Sequence, residues 1–322
     1  MDMGQKTPGF DAVSNLGGKG WIPRAESHAS EVSEGRRWLC CGCSSEIMPL
    51  RSVLIASPPA SLATIERPED YLMVERVDLA RMRAQARAVA ATYRRNGVDV
   101  TMVRPPPYAP PNIIFLRDLF FMTPAGAVLA RMASEQRAGE ERHAAEALAR
   151  AGIPIVGTVT GTGTFEGGDA LWLDRNTVVI GVGFRTNKHG ADTVAGVLRD
   201  QGVAAVQVPL EPGVQHLLGT AVLLDHGVAA IHRAAVHPEL RALLRDREYH
   251  CIELEPDAEL LAGRAMNVVA LSPGKVLMPA GSPGIRRRFE EAGIEGEQVE
   301  VGEYLKAAGG PGCMTGIVRR ES

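Results

Sequence analysis

The sequence predicts an α/β fold in which five similar units stand radially about one axis, and two observations carry that expectation. Five polar residues, Asp118, Glu166, His216, Asn267 and Cys313, lie 48, 50, 51 and 46 residues apart. Four of them are followed by one pattern: an apolar run (119–122, 170–173, 221–224, 268–271), a turn signal (124–126, 174–176, 225–227, 272–274) and a second β-rich run. A degenerate repeat with a hairpin and a helix per unit cannot bury its apolar faces alone, so it must stack on its neighbours. Radial stacking brings equivalent strand starts together at the axis. Two acids, an imidazole, an amide and a thiol would then share one pocket, the grouping that nucleophilic catalysis by a thiolate requires.

The elements follow in chain order. Residues 1–48 are polar, contain Gly and Ser, and show no sustained periodicity, so they are expected to be disordered or loosely attached and dispensable for stability. They lack the basic start and apolar core of a signal peptide. Cys40, Cys41 and Cys43 have no second cluster at metal-ligand spacing and no nearby His, so zinc is not expected. A single domain is expected over residues 49–322, opening with a strand at 50–55. Residues 77–96 carry Leu79, Met82, Ala86, Val89, Ala90 and Tyr93 at helical spacing, with Arg on the opposite face and Gly97 as the stop. The four hairpin units come next. Arg286, Arg287 and Arg288 belong to a helix ending near Gly293 and read as a solvated face. His226, His232, His237 and His250 lack the motif context of His216 and read as turn or surface residues.

Composition excludes several classes of function. Of the 322 residues, 45% are apolar and 23% charged, as in an ordinary soluble globular protein, and a net charge of −3 leaves no basic footprint for nucleic acid. No apolar run approaches the ~18 residues of a membrane span. A cytoplasmic location is the expectation.

Five motifs then point to a family. Phe115-Leu116-Arg117-Asp118, Phe165-Glu166-Gly167-Gly168-Asp169, Arg185-Thr186-Asn187-Lys188-His189-Gly190-Ala191, His216-Leu217-Leu218-Gly219 and Gly309-Gly310-Pro311-Gly312-Cys313-Met314 together resemble the guanidine-modifying enzymes, the penteins. Their order and spacing are most similar to the dimethylarginine dimethylaminohydrolases, with the arginine deiminases next. The resemblance implies a five-bladed α/β propeller of ββαβ modules, a small guanidino substrate, no cofactor and no metal, and it is compatible with a homodimer.

A guanidinium carbon is deactivated by resonance, so attack on it needs a strong nucleophile and a site that holds the planar fork rigidly. A carboxylate such as Asp118 can accept paired N–H bonds from that fork. By the resemblance, Cys313 attacks and forms a thiouronium adduct, His216 acts as acid and then as base, and Glu166 supports His216. The resemblance also places Arg137 and Arg185 on the substrate α-carboxylate; Phe115 and Asn267 are expected at the substrate site, Asn267 satisfying backbone groups at the pocket floor. Arg137 could instead be a surface residue paired with Glu140 or Glu141. Asp169 either touches the guanidinium or stabilises the Gly167-Gly168 turn. Leu218 stands where deiminases and amidinotransferases carry an Asp that grips a second nitrogen, which favours N-alkylated substrates. Arg117 stands where dimethylargininases usually carry an acid, which favours the deiminases. An amidinotransferase and a non-catalytic binder on the same fold are the remaining alternatives.

Overall fold

The runs and turn signals resolve into five three-stranded sheets in a computed structural model that describes residues 14–321. The chain begins with α1 (His28–Glu34), β1 (Leu50–Ala56), α2 (Leu79–Arg95), β2 (Asp99–Val103) and the short α3 (Leu116–Leu119). Next come β3 (Phe120–Thr123), β4 (Gly126–Leu129), α4 (Glu140–Arg150) and β5 (Ile155–Thr158). The following unit is β6 (Ala170–Asp174), β7 (Thr177–Val182), α5 (Lys188–Arg199) and β8 (Ala204–Pro209), and after it β9 (Ala221–Asp225), β10 (Val228–His232), α6 (Pro238–Asp246) and β11 (His250–Leu254). The chain ends with α7 (Ala258–Leu261), β12 (Val269–Ser272), β13 (Lys275–Pro279), α8 (Pro283–Glu291), β14 (Glu295–Val299), α9 (Gly302–Lys306), α10 (Pro311–Met314) and β15 (Thr315–Arg320).

In four sheets an antiparallel hairpin is followed by a helix and a third strand that pairs parallel to the middle one. The fifth sheet is the same module split between the chain's two ends. Here β15 pairs antiparallel with β1, Ile55 opposite Thr315, and β1 pairs parallel with β2 after α2. The first strands β3, β6, β9 and β12 are buried along almost their whole length, which is why each reads as an unbroken apolar run rather than an alternating one. Helix α2 lies where its apolar stripe placed it. Asp78 caps it by accepting from the Arg81 N–H, and Met82, Ala86, Val89, Ala90 and Tyr93 face inward. In α8, Ile285 and Phe289 are buried while Arg286 pairs with Glu290 in solvent, so the arginine run is a solvated face.

The N-terminal segment departs from expectation. Residues 1–13 lie outside the described residues, but residues 28–48 pack onto the modules. Ser27 caps α1 and Gly35 ends it, with Val32 fully buried. Beyond it the chain is a strap: Leu39 N–H donates to Gly152 O, Gly42 exchanges backbone bonds with Val318 and Arg320 along β15, and Cys43 N–H donates to Thr123 O. Cys41, Cys43 and Ile47 are buried under it. Burial pushes the Cys41 thiol up to about 12 and the Cys43 thiol up to about 11, so these cysteines act as small apolar side chains. The apolar residues are spaced irregularly because a strap follows the surface beneath it, not a helix or strand period.

A chain lacking residues 1–48 should therefore unfold at a lower temperature, since a buried Val or Ile contributes ~1.5–3 kcal/mol. Thermal unfolding followed by circular dichroism checks this, and an unchanged Tm would restore the view of the segment as dispensable.

Candidate active site

Each of the five spaced polar residues sits just ahead of the first strand of its module. Asp118 is in α3 before β3, and Glu166 precedes the turn at Gly167–Asp169 and β6. His216 precedes the turn at Leu217–Gly219 and β9, Asn267 lies before β12, and Cys313 is in α10 before β15. Asp118, His216, Asn267 and Cys313 line one cavity of about 410 Å³, together with Gly168 and Leu218.

Asn267 clamps the thiol from both sides. Its Nδ2 donates to Cys313 Sγ at 2.9 Å, and its Oδ1 accepts from the Cys313 N–H at 3.1 Å. Burial raises the Cys313 thiol above its ordinary value, and the Asp118 charge adds to that, while the Asn267 bond opposes both. Opposite, His216 Nε2 donates to Glu166 Oε2 at 2.8 Å, which leaves Nδ1 free towards the cavity. Nδ1 is 3.8 Å from Asp118 Oδ1, too far for a hydrogen bond. Burial alone would lower the His216 value, but Asp118, Asp169 and Glu166 raise it to about 9. Burial works against the charge on Glu166, yet His216, Arg137 and Arg185 hold its carboxyl down at about 2.

Asp118 is the other end of the site. Its Oδ2 accepts from Arg137 NH1 at 2.7 Å, while its buried Oδ1 has no partner among the described residues. Such an atom is costly unless a ligand supplies the missing donor. Close packing keeps this geometry. A Cβ on Gly168 would lie 2.9 Å from His216 Cγ and 3.1 Å from Asp118 Oδ1. Arg264 and Ala308, at φ 48° and 70°, are non-Gly residues in the left-handed region, and both line the cavity. Strained backbone of this kind gathers at functional sites.

Four residues assigned to the substrate lie behind the cavity wall. Phe115 packs edge-on against Tyr304 at 6.3 Å, in the space that a Cβ on Gly309 would enter, and so supports the Cys313 loop. Arg137 is only 2% exposed and is committed to Asp118 and Glu140. It is neither a surface residue nor a lining one. Arg185 donates to Glu166 and lies over the Phe184 ring. Asp169 accepts from the Thr186 hydroxyl at 2.6 Å and from the Leu217 N–H at 2.9 Å, so it fixes the turn after His216. Burial raises its carboxyl to about 6. Glu46 and Arg264 line the cavity without having been picked out in the sequence. Glu46 comes from the strap, where no periodicity marks it, and accepts from Arg117 NH2 at 2.8 Å.

Asp118, Glu166 and His216 offer ligand atoms within 4.8 Å of one another, the spacing of a metal site. Arg137 NH1 lies 2.7 Å from Asp118 and 3.5 Å from Glu166, so a guanidinium already supplies the positive charge between the two acids. The set fits a proton network better than a cation site.

A carboxyl held below its ordinary value stabilises the fold above that value and loses the contribution as pH falls towards the folded one. For Glu166 the window runs from about 4.5 down to about 2. The Tm difference between the wild type and Glu166→Gln should therefore narrow as pH is lowered through that window. A constant difference would place the stabilisation elsewhere.

A family model described as arginine deiminase matches residues 73–250, more than half of the chain. The chain is 28% identical over 238 residues to the N(G),N(G)-dimethylarginine dimethylaminohydrolase of Pseudomonas aeruginosa, covering 74% of this chain and 89% of that one. It is 30% identical over 270 residues to the Mycobacterium tuberculosis protein of the same name, covering 80% of this chain and 83% of that one. A solved dimethylarginine dimethylaminohydrolase, an adduct with S-methyl-L-thiocitrulline, matches with a TM-score of 0.70 at 26% identity over 84% of this chain and 100% of that chain. Likeness over this much of both chains, on a ring of five ββαβ sheets, makes the kinship plain: the chain belongs to the arginine deiminase family of guanidine-modifying enzymes, the penteins.

Proposed function

We propose that this hydrolase of C–N bonds acts in the cytoplasm on arginine-type substrates alkylated at a terminal guanidino nitrogen, releasing an amine and citrulline through a covalent adduct on Cys313. The observation that carries the proposal is the unpartnered Oδ1 of Asp118, a residue lining the cavity that also holds the clamped thiol of Cys313 and the free Nδ1 of His216.

In the resting site burial, and after it the Asp118 carboxylate, hold the thiol towards its protonated form. A guanidinium bound to Asp118 cancels that charge and adds a positive neighbour, so the thiol loses its proton to solvent as substrate arrives. The thiolate forms a bond to the guanidino carbon. The C–N bond to the alkylated nitrogen then breaks, with its proton supplied by the His216 imidazolium. Neutral His216 next takes a proton from water, which attacks the same carbon, and the C–S bond breaks to regenerate the thiolate. Glu166 stabilises each imidazolium and holds the ring in the tautomer that leaves Nδ1 free.

Leu218 lines the cavity; the resemblance puts it where deiminases carry a carboxylate that grips a second nitrogen, and an apolar wall there suits an N-methyl group. Deimination of plain arginine is the second reading, supported by the description of the matching family model. Product analysis with arginine, methylated arginines and shorter guanidino acids decides between them.

Cys313→Ser should lower kcat by more than about a thousandfold with the fold intact, the scale of loss on removing a nucleophile; steady-state kinetics showing more than a tenth of wild-type kcat would refute the covalent route. Leu218→Asp should raise the ratio of kcat/KM for arginine over dimethylarginine, because the new carboxylate gains a partner only from the unmethylated nitrogen. A level or falling ratio in a folded variant would mean that position 218 does not face the substrate nitrogens.

A further inference from the structure

By its sequence pattern His232 is a turn or surface residue, but in the structure it ends β10 and lines the cavity. Its backbone N–H donates to Thr220 O at 2.8 Å, which places it beside the turn that carries His216 and Leu218. The Thr220 hydroxyl is committed to Leu217 O at 2.8 Å. Ala235, whose N–H donates to His232 O at 3.1 Å, lines the cavity too, as does Leu260 from the apolar cluster on which Leu218 packs. Around that turn stand aliphatic groups and one imidazole.

The reaction through Cys313 and His216 has no use for this second ring. Its Nδ1 is buried and has no hydrogen-bond partner among the described residues. A buried N–H without an acceptor is a rarer and worse orphan than a bare acceptor, so the lone pair belongs on Nδ1 and the proton on Nε2. Nε2–H is then the donor of a ring that lines the cavity, and the carboxylates that reach a histidine among the described residues reach His216 and His237 instead. A donor of this kind calls for an acceptor on the ligand. The cavity, at about 410 Å³, is in the range of sites that enclose drug-sized ligands, so there is room for more than a methyl group beside Leu218.

We propose that His232 determines specificity for the group carried on the guanidino nitrogen: a short alkyl chain that lies along Leu218 and ends in an oxygen, hydroxyl or ether, accepting from Nε2–H. This rests on the reading of the cavity as a guanidino site, and it adds the chemical class of the substituent.

The test uses two arginines of matched size, Nω-(2-hydroxyethyl)arginine and Nω-propylarginine, with Nω-methylarginine as reference, in the wild type, His232→Phe and His232→Gln. A pocket built to donate to an oxygen discriminates against the analogue that lacks it. Wild type should favour the hydroxyethyl over the propyl compound by about three- to tenfold in kcat/KM, the equivalent of one hydrogen bond between neutral groups. His232→Phe keeps a ring of similar shape and should bring that ratio to one or below, while His232→Gln, which keeps a donor, should retain part of it. A purely structural role would lower both rates alike and leave the ratio intact. An intact ratio in His232→Phe, or a ratio of one in the wild type, therefore overturns the proposal. Turnover of methylarginine without turnover of the hydroxyethyl compound overturns it as well and leaves the proposed reaction standing. If no compound is turned over, the reaction fails, and protection of Cys313 from iodoacetamide by the matched pair decides the role of His232: protection by the hydroxyethyl compound at lower concentration supports it, and equal or absent protection overturns it.

Discussion

Buried charge around His216 is the constraint on which the site depends. Four carboxylates, Asp118, Glu140, Glu166 and Asp169, are buried there with three cationic groups, Arg137, Arg185 and His216. Among these seven groups the acids outnumber the cations by one, while Arg117 and Arg320 are engaged along the cavity wall by Glu46 and Met48 O. The imbalance shows in the acids that burial and like charges push towards the protonated form, Glu140 to about 7 and Asp169 to about 6. It shows also as the unsatisfied oxygen of Asp118. On the proposed reading, that shortage at Asp118 is where the guanidinium of the substrate would lie. Arg137 prevents Asp118 and Glu166 from repelling each other out of position, which is why its removal to the cavity for a substrate role would be costly.

The ring and its axis were legible in the sequence because the innermost strands are covered on both faces and leave unbroken apolar runs at a constant interval. The position of a polar residue just ahead of each run was legible for the same reason. What spacing cannot convey is which partner a long side chain chooses. Arg137 and Arg185 are near the site in sequence terms, but their guanidiniums turn inward to Asp118, Glu140 and Glu166, a choice made by charge balance in three dimensions. The strap was illegible for a different reason. Its buried residues, Val32, Cys41, Cys43 and Ile47, follow no period.

The strap also changes how Arg117 reads. At a position where an acid was the familiar choice, a cation stands, and the acid arrives from elsewhere: Glu46 reaches it at 2.8 Å and also accepts from the Trp172 N–H at 3.4 Å. The negative charge that α3 lacks at Arg117 is supplied by a segment more than seventy positions away in sequence, and the wall of the cavity is thereby tied to the packing of the N-terminal region. Mutations in the strap should accordingly be felt in the cavity as well as in stability.

The sheet that closes the ring has a consequence for the order of assembly. Thr315 pairs with Ile55 across 260 positions of chain, the kind of distant contact whose closure entropy must be met before it yields any return. The loop bearing Cys313 leads directly into that ladder. Ribosome-bound chains that have already made the Asp118, Glu166 and His216 modules therefore still lack Cys313 in the cavity, and only completion of the last strand both seals the ring and sets the thiol in place. The cavity is in this way withheld from unfinished molecules, and its completion coincides with topological closure.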